Sequence, residues 1–270
     1  MKMNPEHAAT RALAQCADPE GIDAMTSRCR APERMSSGRR HMLATLAGVG
    51  AVVVARPALA QVPGTGAPAA SCVLTPAQTE GPYFVDERLA RSDIRVDPGD
   101  GTTRPGALLA LQLRILVVDG RGCRPVGGAT VDVWHCDAQG VYSDAGEQRT
   151  DSRGSKFLRG YQATDAAGRV RFVTIYPGAY PGRAVHIHFK VRTKMGGTPR
   201  EFTSQLYFDD ALTDRVHARP PYAGAGERRT RNARDGLYRD GGPALQLPVV
   251  EAADGYAAMY DIAIRGSSPA

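Results

Sequence analysis

His186 and His188 stand two residues apart in "AVHIHFKVR" (Ala184–Arg192). If this stretch is a strand, successive side chains alternate between faces, which puts Val185, Ile187, Phe189 and Val191 on an apolar face and His186, His188, Lys190 and Arg192 on the opposite one. Same-face neighbours lie about 6.6 Å apart, close enough for two imidazoles to converge on one metal ion at bond lengths of about 2 Å. A zinc hydrolase would want a third His, Asp or Cys, and a cupin-type site a glutamate shortly downstream. Phe189–Lys190–Val191–Arg192 offers no such glutamate, and of the other histidines beyond residue 60, His135 and His217, the only metal-like one, His135 in "WHCD", reads as strand surface. Tyrosines are close instead. Tyr180 sits in the turn "PGAYPGR" six residues before His186, and Tyr142 follows the turn "DAQGV". A free phenol titrates near pH 10, so only a strongly Lewis-acidic ion holds it as phenolate at neutral pH. A set of two tyrosines and two histidines therefore selects ferric iron by hardness and mixed N/O character over zinc or magnesium. Tyr176, in the same stretch, reads as packing.

The elements that must hold these residues are short strands. Period-2 alternation runs through "LQLRILVVD" (Leu111–Asp119), "ATVDVWH" (Ala129–His135), "GRVRFVTI" (Gly168–Ile175), the His-x-His stretch, and "SQLYF" (Ser204–Phe208), with turns at Asp119-Gly120, Gln139-Gly140, Pro177-Gly178 and Gly196-Gly197 between them. Helical periodicity is almost absent. The pattern predicts an all-β protein, a β-sandwich with long loops, in one domain from about Thr75 to Ile264. "DDALTDRVHA" (Asp209–Ala218) reads as a short helix decorating a loop.

Composition agrees with a globular chain. Apolar residues make up 42% and charged residues 23% of 270, too balanced for disorder. The formal charge is +6, but residues 1–60 carry eight Lys/Arg against five Asp/Glu, which leaves +3 on the other 210 and argues against nucleic acid as a partner. The densest basic run, "ERRTRNARD" (Glu227–Asp235), contains acids, lacks interleaved aromatics and reads as a solvated loop.

Residues 35–60 have the order of an export signal: the pair Arg39–Arg40, an uncharged stretch from His41 to Ala55, then Ala58-Leu59-Ala60. The apolar part is short for a membrane span, and the arginine pair points to the twin-arginine route into the periplasm. Residues 1–34 read as an extension upstream of a more conventional start at Met35, and 61–74 as a flexible Pro/Gly/Ala linker. Of the cysteines that would remain after cleavage, Cys72, Cys123 and Cys136, an oxidising compartment predicts one disulfide and one spare thiol. Cys72–Cys123 is the preferred pair, because Cys136 adjoins the aromatic strand near the tyrosines.

The stretches "TPAQTEGPYF" (Thr75–Phe84), "ATVDVWHCDAQGVYS" (Ala129–Ser143), "GRVRFVTIYPGAYPGRAVHIHFKV" (Gly168–Val191) and "TSQLYF" (Thr203–Phe208) resemble, in order, the intradiol ring-cleavage dioxygenases. The resemblance implies a prealbumin-like β-sandwich and one non-haem Fe(III) held by Tyr142, Tyr180, His186 and His188, with Tyr180 and His188 axial. It also implies that Tyr180, freed from iron by the substrate, is the phenolate that takes a substrate proton, with Arg183 beside the substrate ring and Gln205 near the bound catechol. The activity implied is cleavage of a catechol by O2 between the hydroxylated carbons, giving a cis,cis-muconate, with a homo-oligomer allowed. The short segment between Tyr180 and His186 leaves the particular catechol open. The competing reading is an exported β-sandwich module that binds aromatics or surface material without turnover. A zinc or copper site is disfavoured by the two tyrosines.

Overall fold

The computed structural model describes residues 73–120, 122–146, 148, 150–223 and 230–266. The leader, Cys72 with its pairing, and most of the linker fall outside the described residues. Two sheets pack face to face as a β-sandwich. One contains β1 (Leu108–Asp119), β2 (Gly122–Pro125), β5 (Arg169–Ile175), β8 (Val249–Ala252) and β9 (Gly255–Arg265), in the order β2-β1-β9-β8 with β5 also paired to β1. The other has the order β4-β3-β6-β7, from β4 (Arg159–Ala163), β3 (Thr130–Trp134), β6 (His186–Met195) and β7 (Thr198–Tyr207). Two short helices, α1 (Asp210–His217) and α2 (Gly236–Arg239), follow β7.

The alternation read from the sequence builds the core. Leu109, Leu111, Leu113 and Ile115 of β1 point inward and are buried, as are Val131 and Val133 of β3, Val170 and Phe172 of β5, and Ile187, Phe189 and Val191 of β6. Each such side chain contributes about 1.5–3 kcal/mol of burial. Among the described residues no helix is long and apolar enough to cross a membrane.

Three expectations change. The helix at Asp210–His217 is not mere decoration, since Leu212 and Val216 join the core cluster. His135 is not on a strand surface: it is buried just past β3, with its two ring nitrogens at 2.8 Å from the Cys136 carbonyl and 2.6 Å from Thr174 Oγ1. The end of the basic run is not solvated either, because Asn232 and Asp235 are buried.

The polar face of β6 is covered as well. The segment leading into β1 lies over this sheet, with Gln78 N–H donating to the Thr203 carbonyl and Leu89 accepting from Tyr161 N–H. Glu80 pairs with Lys190, whose ammonium lies 4.0 Å from the Phe84 ring centroid. His186 and His188 are therefore enclosed on a face that strand periodicity alone marks only as polar.

Candidate metal centre

Each of the four sequence-predicted ligand residues is positioned by a separate local device. Trp134 ends β3, and Asp137 then turns the chain, its Oδ1 accepting from the N–H groups of Gln139 and Val141 at 2.9 Å each. The next residue, Tyr142, is fastened through its backbone: Gln148 Oε1 accepts its N–H at 3.0 Å, and Gln148 Nε2 and Ser152 Oγ donate to its carbonyl. The Tyr142 ring stacks on Tyr83 with centroids 4.4 Å apart. Tyr180 lies on the turn after β5, and its ring meets Tyr142 edge-on at 5.5 Å. His186 and His188 open β6 beside β7, with Tyr207 and Gln205 as their respective partners in register. Trp134, across the strand pair from His188, stacks flat on its imidazole at 4.9 Å and 7°.

The polar ends of these four side chains meet. His186 Nε2 lies 3.0 Å from His188 Nε2, 3.4 Å from Tyr142 Oη and 3.3 Å from Tyr180 Oη. His186 Nδ1 is 2.6 Å from the Ala184 carbonyl, so Nδ1 carries the proton and Nε2 presents a bare lone pair to the others. The Nδ1 of His188 is buried without a partner. Two atoms bonded to one ion at about 2.1 Å stand about 3.0 Å apart when their bonds subtend a right angle. The observed separations of 3.0–3.4 Å match that spacing, and in the metal-free protein they are also hydrogen-bonding distances. Among the described residues no three His, Cys, Asp or Glu side chains gather as a metal cluster, so the donor set is complete only when the phenols are counted.

Burial sets the protonation of the metal-free centre. It lowers His186 to about 3, with the Arg183 charge adding to the effect, and drives His188 well below the usual histidine range, with His186 and Arg183 adding. It pushes Tyr180 up to about 12 against the opposing pull of Arg183, and Tyr142 well above a free phenol. Both imidazoles are neutral and available as donors, whereas the phenols keep their protons unless a highly charged cation takes their place. That is the requirement of a hard trivalent ion.

A pH dependence follows for the metal-free protein. The folded values of His135 (about 4), His186 (about 3) and His188 all lie below the unfolded value of 6.5. The stability tied to these groups is present above pH 6.5 and is lost as the pH falls from there toward 4, because unfolding then takes up protons. With three histidines the slope approaches about 4 kcal/mol per pH unit. Urea midpoints measured from pH 8 to 4.5 are expected to hold level above pH 7 and then fall; midpoints that rise on acidification contradict this.

Arg183 and Gln205 lie against the four donors. Arg183 Nη1 faces Tyr180 Oη at 3.5 Å, and its Nη2 donates to Gln205 Oε1 and, at 3.3 Å, to Tyr207 Oη. Gln205 is buried, and its Nε2 donates to the Thr79 carbonyl at 2.9 Å. Tyr176 packs in the core, as read from the sequence, with its hydroxyl 2.7 Å from Thr213 Oγ1. Cys136 is a buried free thiol in a cluster with Trp134 and Tyr142, and burial pushes its pKa far up, which leaves it inert. Sequence reasoning missed Tyr83, Trp134, Tyr207 and Asp235 as neighbours of the site. The stretches that carry the family resemblance hold Tyr83, Trp134 and Tyr207 and were the available signal for those three; Asp235 had none. A groove of about 1220 Å³ lies on the outer face of the β1/β9 sheet, away from the donors; it is mostly apolar, and its Arg114 and Asp261 are paired to each other.

Comparison with known proteins places these observations among relatives. A family model described as "Dioxygenase" matches residues 79–238. An intradiol ring-cleavage dioxygenase from Tetranychus urticae superposes with a TM-score of 0.61 at 30% identity, covering 74% of this chain and 98% of that one. The dioxygenase domain of a dioxygenase carbohydrate-binding protein fusion from Streptomyces sp. SirexAA-E gives a TM-score of 0.52 at 30% identity, over 72% of this chain and 100% of that one. The protocatechuate 3,4-dioxygenase beta chain of Burkholderia cepacia is 38% identical over 105 residues, covering 34% of this chain and 44% of that one. The matches span about half the length of the curated relatives.

Proposed function

Because the chain belongs to the intradiol ring-cleavage dioxygenase family, we propose that it cleaves a catechol-type aromatic between its two hydroxylated carbons, placing both atoms of O2 in a cis,cis-muconate-type product. One observation carries this reading: the Oη atoms of Tyr142 and Tyr180 and the Nε2 atom of His188 lie within 3.0–3.4 Å of His186 Nε2. These four side chains would hold one ferric ion. The chemistry such an ion supplies when bound is activation of the catecholate ring toward O2.

The protein's own groups divide the remaining work. Tyr180 is only partly buried while Tyr142 is fully enclosed, so Tyr180 is the phenol an entering catechol meets. As the phenolate that a bound ferric ion would hold, Tyr180 would take up a substrate hydroxyl proton at its Oη. Arg183 keeps its charge, since its pKa is raised: burial works against the cation, and Tyr180, Asp235 and Tyr207 outweigh it. Its guanidinium, next to Tyr180, offers a fixed positive charge where negative charge develops on the ring. Gln205 holds that guanidinium from the β7 side, and Tyr83 and Trp134 keep water from the inner donors by stacking on Tyr142 and His188.

Oxygen uptake tests the reading. Iron-loaded protein is expected to consume one O2 per catechol with at least one of catechol, protocatechuate, hydroxyquinol or a chlorocatechol, and to be burgundy from tyrosinate-to-iron charge transfer. A colourless protein with stoichiometric zinc sinks the iron assignment. A coloured protein that consumes no O2 favours the aromatic-binding module. We propose further that the enzyme works outside the cytoplasm, which the sequence order of Arg39–Arg40, apolar stretch and Ala58-Leu59-Ala60 supports. Cell fractionation in the same experiment is expected to find the activity in the periplasm and, after Arg39→Lys with Arg40→Lys, in the cytosol; activity in the cytosol without that change removes the export reading.

A further inference from the structure

Arg183 lies in the ten-residue connection between β5 and β6, and a guanidinium on such a connection is free to swing unless something holds it. The holding group comes from far along the chain. Asp235, buried to 1% exposure between β7 and β8, accepts from Arg183 Nε through Oδ2 at 3.0 Å and from the Ala184 N–H through the same oxygen at 2.8 Å. Its Oδ1 accepts from the N–H groups of Leu237 and Tyr238 at 2.8 and 3.3 Å, capping α2. One carboxylate therefore ties together three things: the start of α2, the backbone that leads into His186, and the cation beside Tyr180. With Nε on Asp235 and Nη2 on Gln205 and Tyr207, the guanidinium plane is held on two sides, and Nη1 is the corner turned toward Tyr180 Oη.

We propose that Asp235 is the positioning residue for Arg183, clamping the guanidinium with its Nη1 edge toward the Tyr180 phenol and the substrate. A carboxylate is the group suited to this. It accepts four N–H bonds with two oxygens, and its negative charge keeps an enclosed guanidinium from costing the site an unpaired cation. The catalytic consequence rests on the reading of Arg183 as a substrate-side cation; the clamp itself does not.

Two measurements test the clamp. Asp235→Ser keeps an oxygen able to cap α2 but is too short and uncharged to hold Arg183. Asp235→Asn, which preserves shape and an acceptor, serves if the serine variant does not fold. In metal-free protein the Arg183 Nε–H signal, recognised by its loss in Arg183→Gln, is expected to exchange with water at least tenfold faster in Asp235→Ser than in the parent; with Asp235→Asn the increase is smaller but in the same direction. Equal exchange rates overturn the clamp. In iron-loaded enzyme, Asp235→Ser is expected to lower kcat by about 10–100-fold, the range found when groups that orient a functional side chain are removed. Because Asp235 acts through Arg183, the double variant with Arg183→Gln is expected to be no more than threefold slower than Arg183→Gln alone. Costs that multiply instead show that Asp235 acts independently and overturn the proposal. If the parent protein consumes no catechol, the proposed reaction fails while the exchange measurement still decides the clamp.

Discussion

Tyr142→Phe is expected to lower turnover by at least about 10³-fold, equivalent to about 4 kcal/mol of transition-state stabilisation, while leaving the metal-free fold as stable as before or slightly more so. The opposite signs follow from what the substitution removes. The Phe ring keeps the stack on Tyr83 at 4.4 Å and fills the same enclosed volume beside Trp134 and Cys136. Only Oη is lost, and in the metal-free protein that hydroxyl is buried, 3.4 Å from His186 Nε2 and hydrogen-bonded to the Tyr180 hydroxyl. Tyr180 Oη keeps His186 and Arg183 as neighbours, so removing the Tyr142 hydroxyl leaves no group stranded and costs the fold little, within about 1 kcal/mol. For a ferric ion the same atom is one of two phenolate donors, and nothing adjacent replaces it: Tyr83, the nearest other phenol, lies stacked on the Tyr142 face. Thermal melting of metal-free protein, iron content and the visible band together check this. Wild-type iron content and an unchanged band in the variant would remove Tyr142 from the ligand set.

The histidine pair was legible in the sequence because strand periodicity is local. Two residues apart on β6 means the same face, and the four apolar residues between and around them say which face is the core. The expected strands at β1, β3, β5 and β6 were legible for the same reason. β4, "RGYQA", was not, because it carries polar groups on both sides; the chain near Leu89 and Arg91 covers one of them, a long-range fact with no period. β9 was passed over although it is the parallel partner of β1 along ten residues: Ala257, Ala258, Ala263 and Gly255 dilute its alternation, and its pairing with β1 has no local signature, even though the tight turn at Ala253-Asp254 joins it to β8. Tyr180 and Tyr142 were legible as candidates from their turns at strand ends, Tyr180 six residues before His186; that Tyr142 reaches the histidines across 44 residues of chain was carried by the family resemblance. Asp235 was hidden for a different reason. Within "ERRTRNARD" its charge reads as one more surface ion, and only its place 52 residues beyond Arg183, folded back beneath it, gives it a role.

The largest structural effect is expected from Gly140→Ala, a change that touches none of the donors. Gly140 has φ +81°, and a Cβ there would lie 2.3 Å from the Ala179 carbonyl oxygen and 3.3 Å from Tyr180 Cβ. Gly178 meets the same pair of loops from the other side, where a Cβ would come within 2.4 Å of the Asp137 carbonyl. The loop that ends in Tyr142 and the turn that carries Tyr180 are thus nested backbone against backbone, and this contact sets the distance between the two phenols. Alanine at position 140 adds left-handed backbone strain of about 1–2 kcal/mol and also drives the Ala179 carbonyl outward. The combined cost is expected to be at least about 3 kcal/mol, together with loss of iron binding as Tyr180 moves with its turn. Gly182→Ala separates the two causes. Gly182 has φ +85° in the same turn, two residues past Tyr180, but a Cβ there meets nothing within 4 Å. It should carry only the conformational strain and keep its iron. Equal destabilisation of the two variants, measured by urea unfolding, would show that the nesting of the loops contributes nothing; a larger loss at Gly140, with iron lost there alone, would show that two glycines without functional groups hold the tyrosines in register.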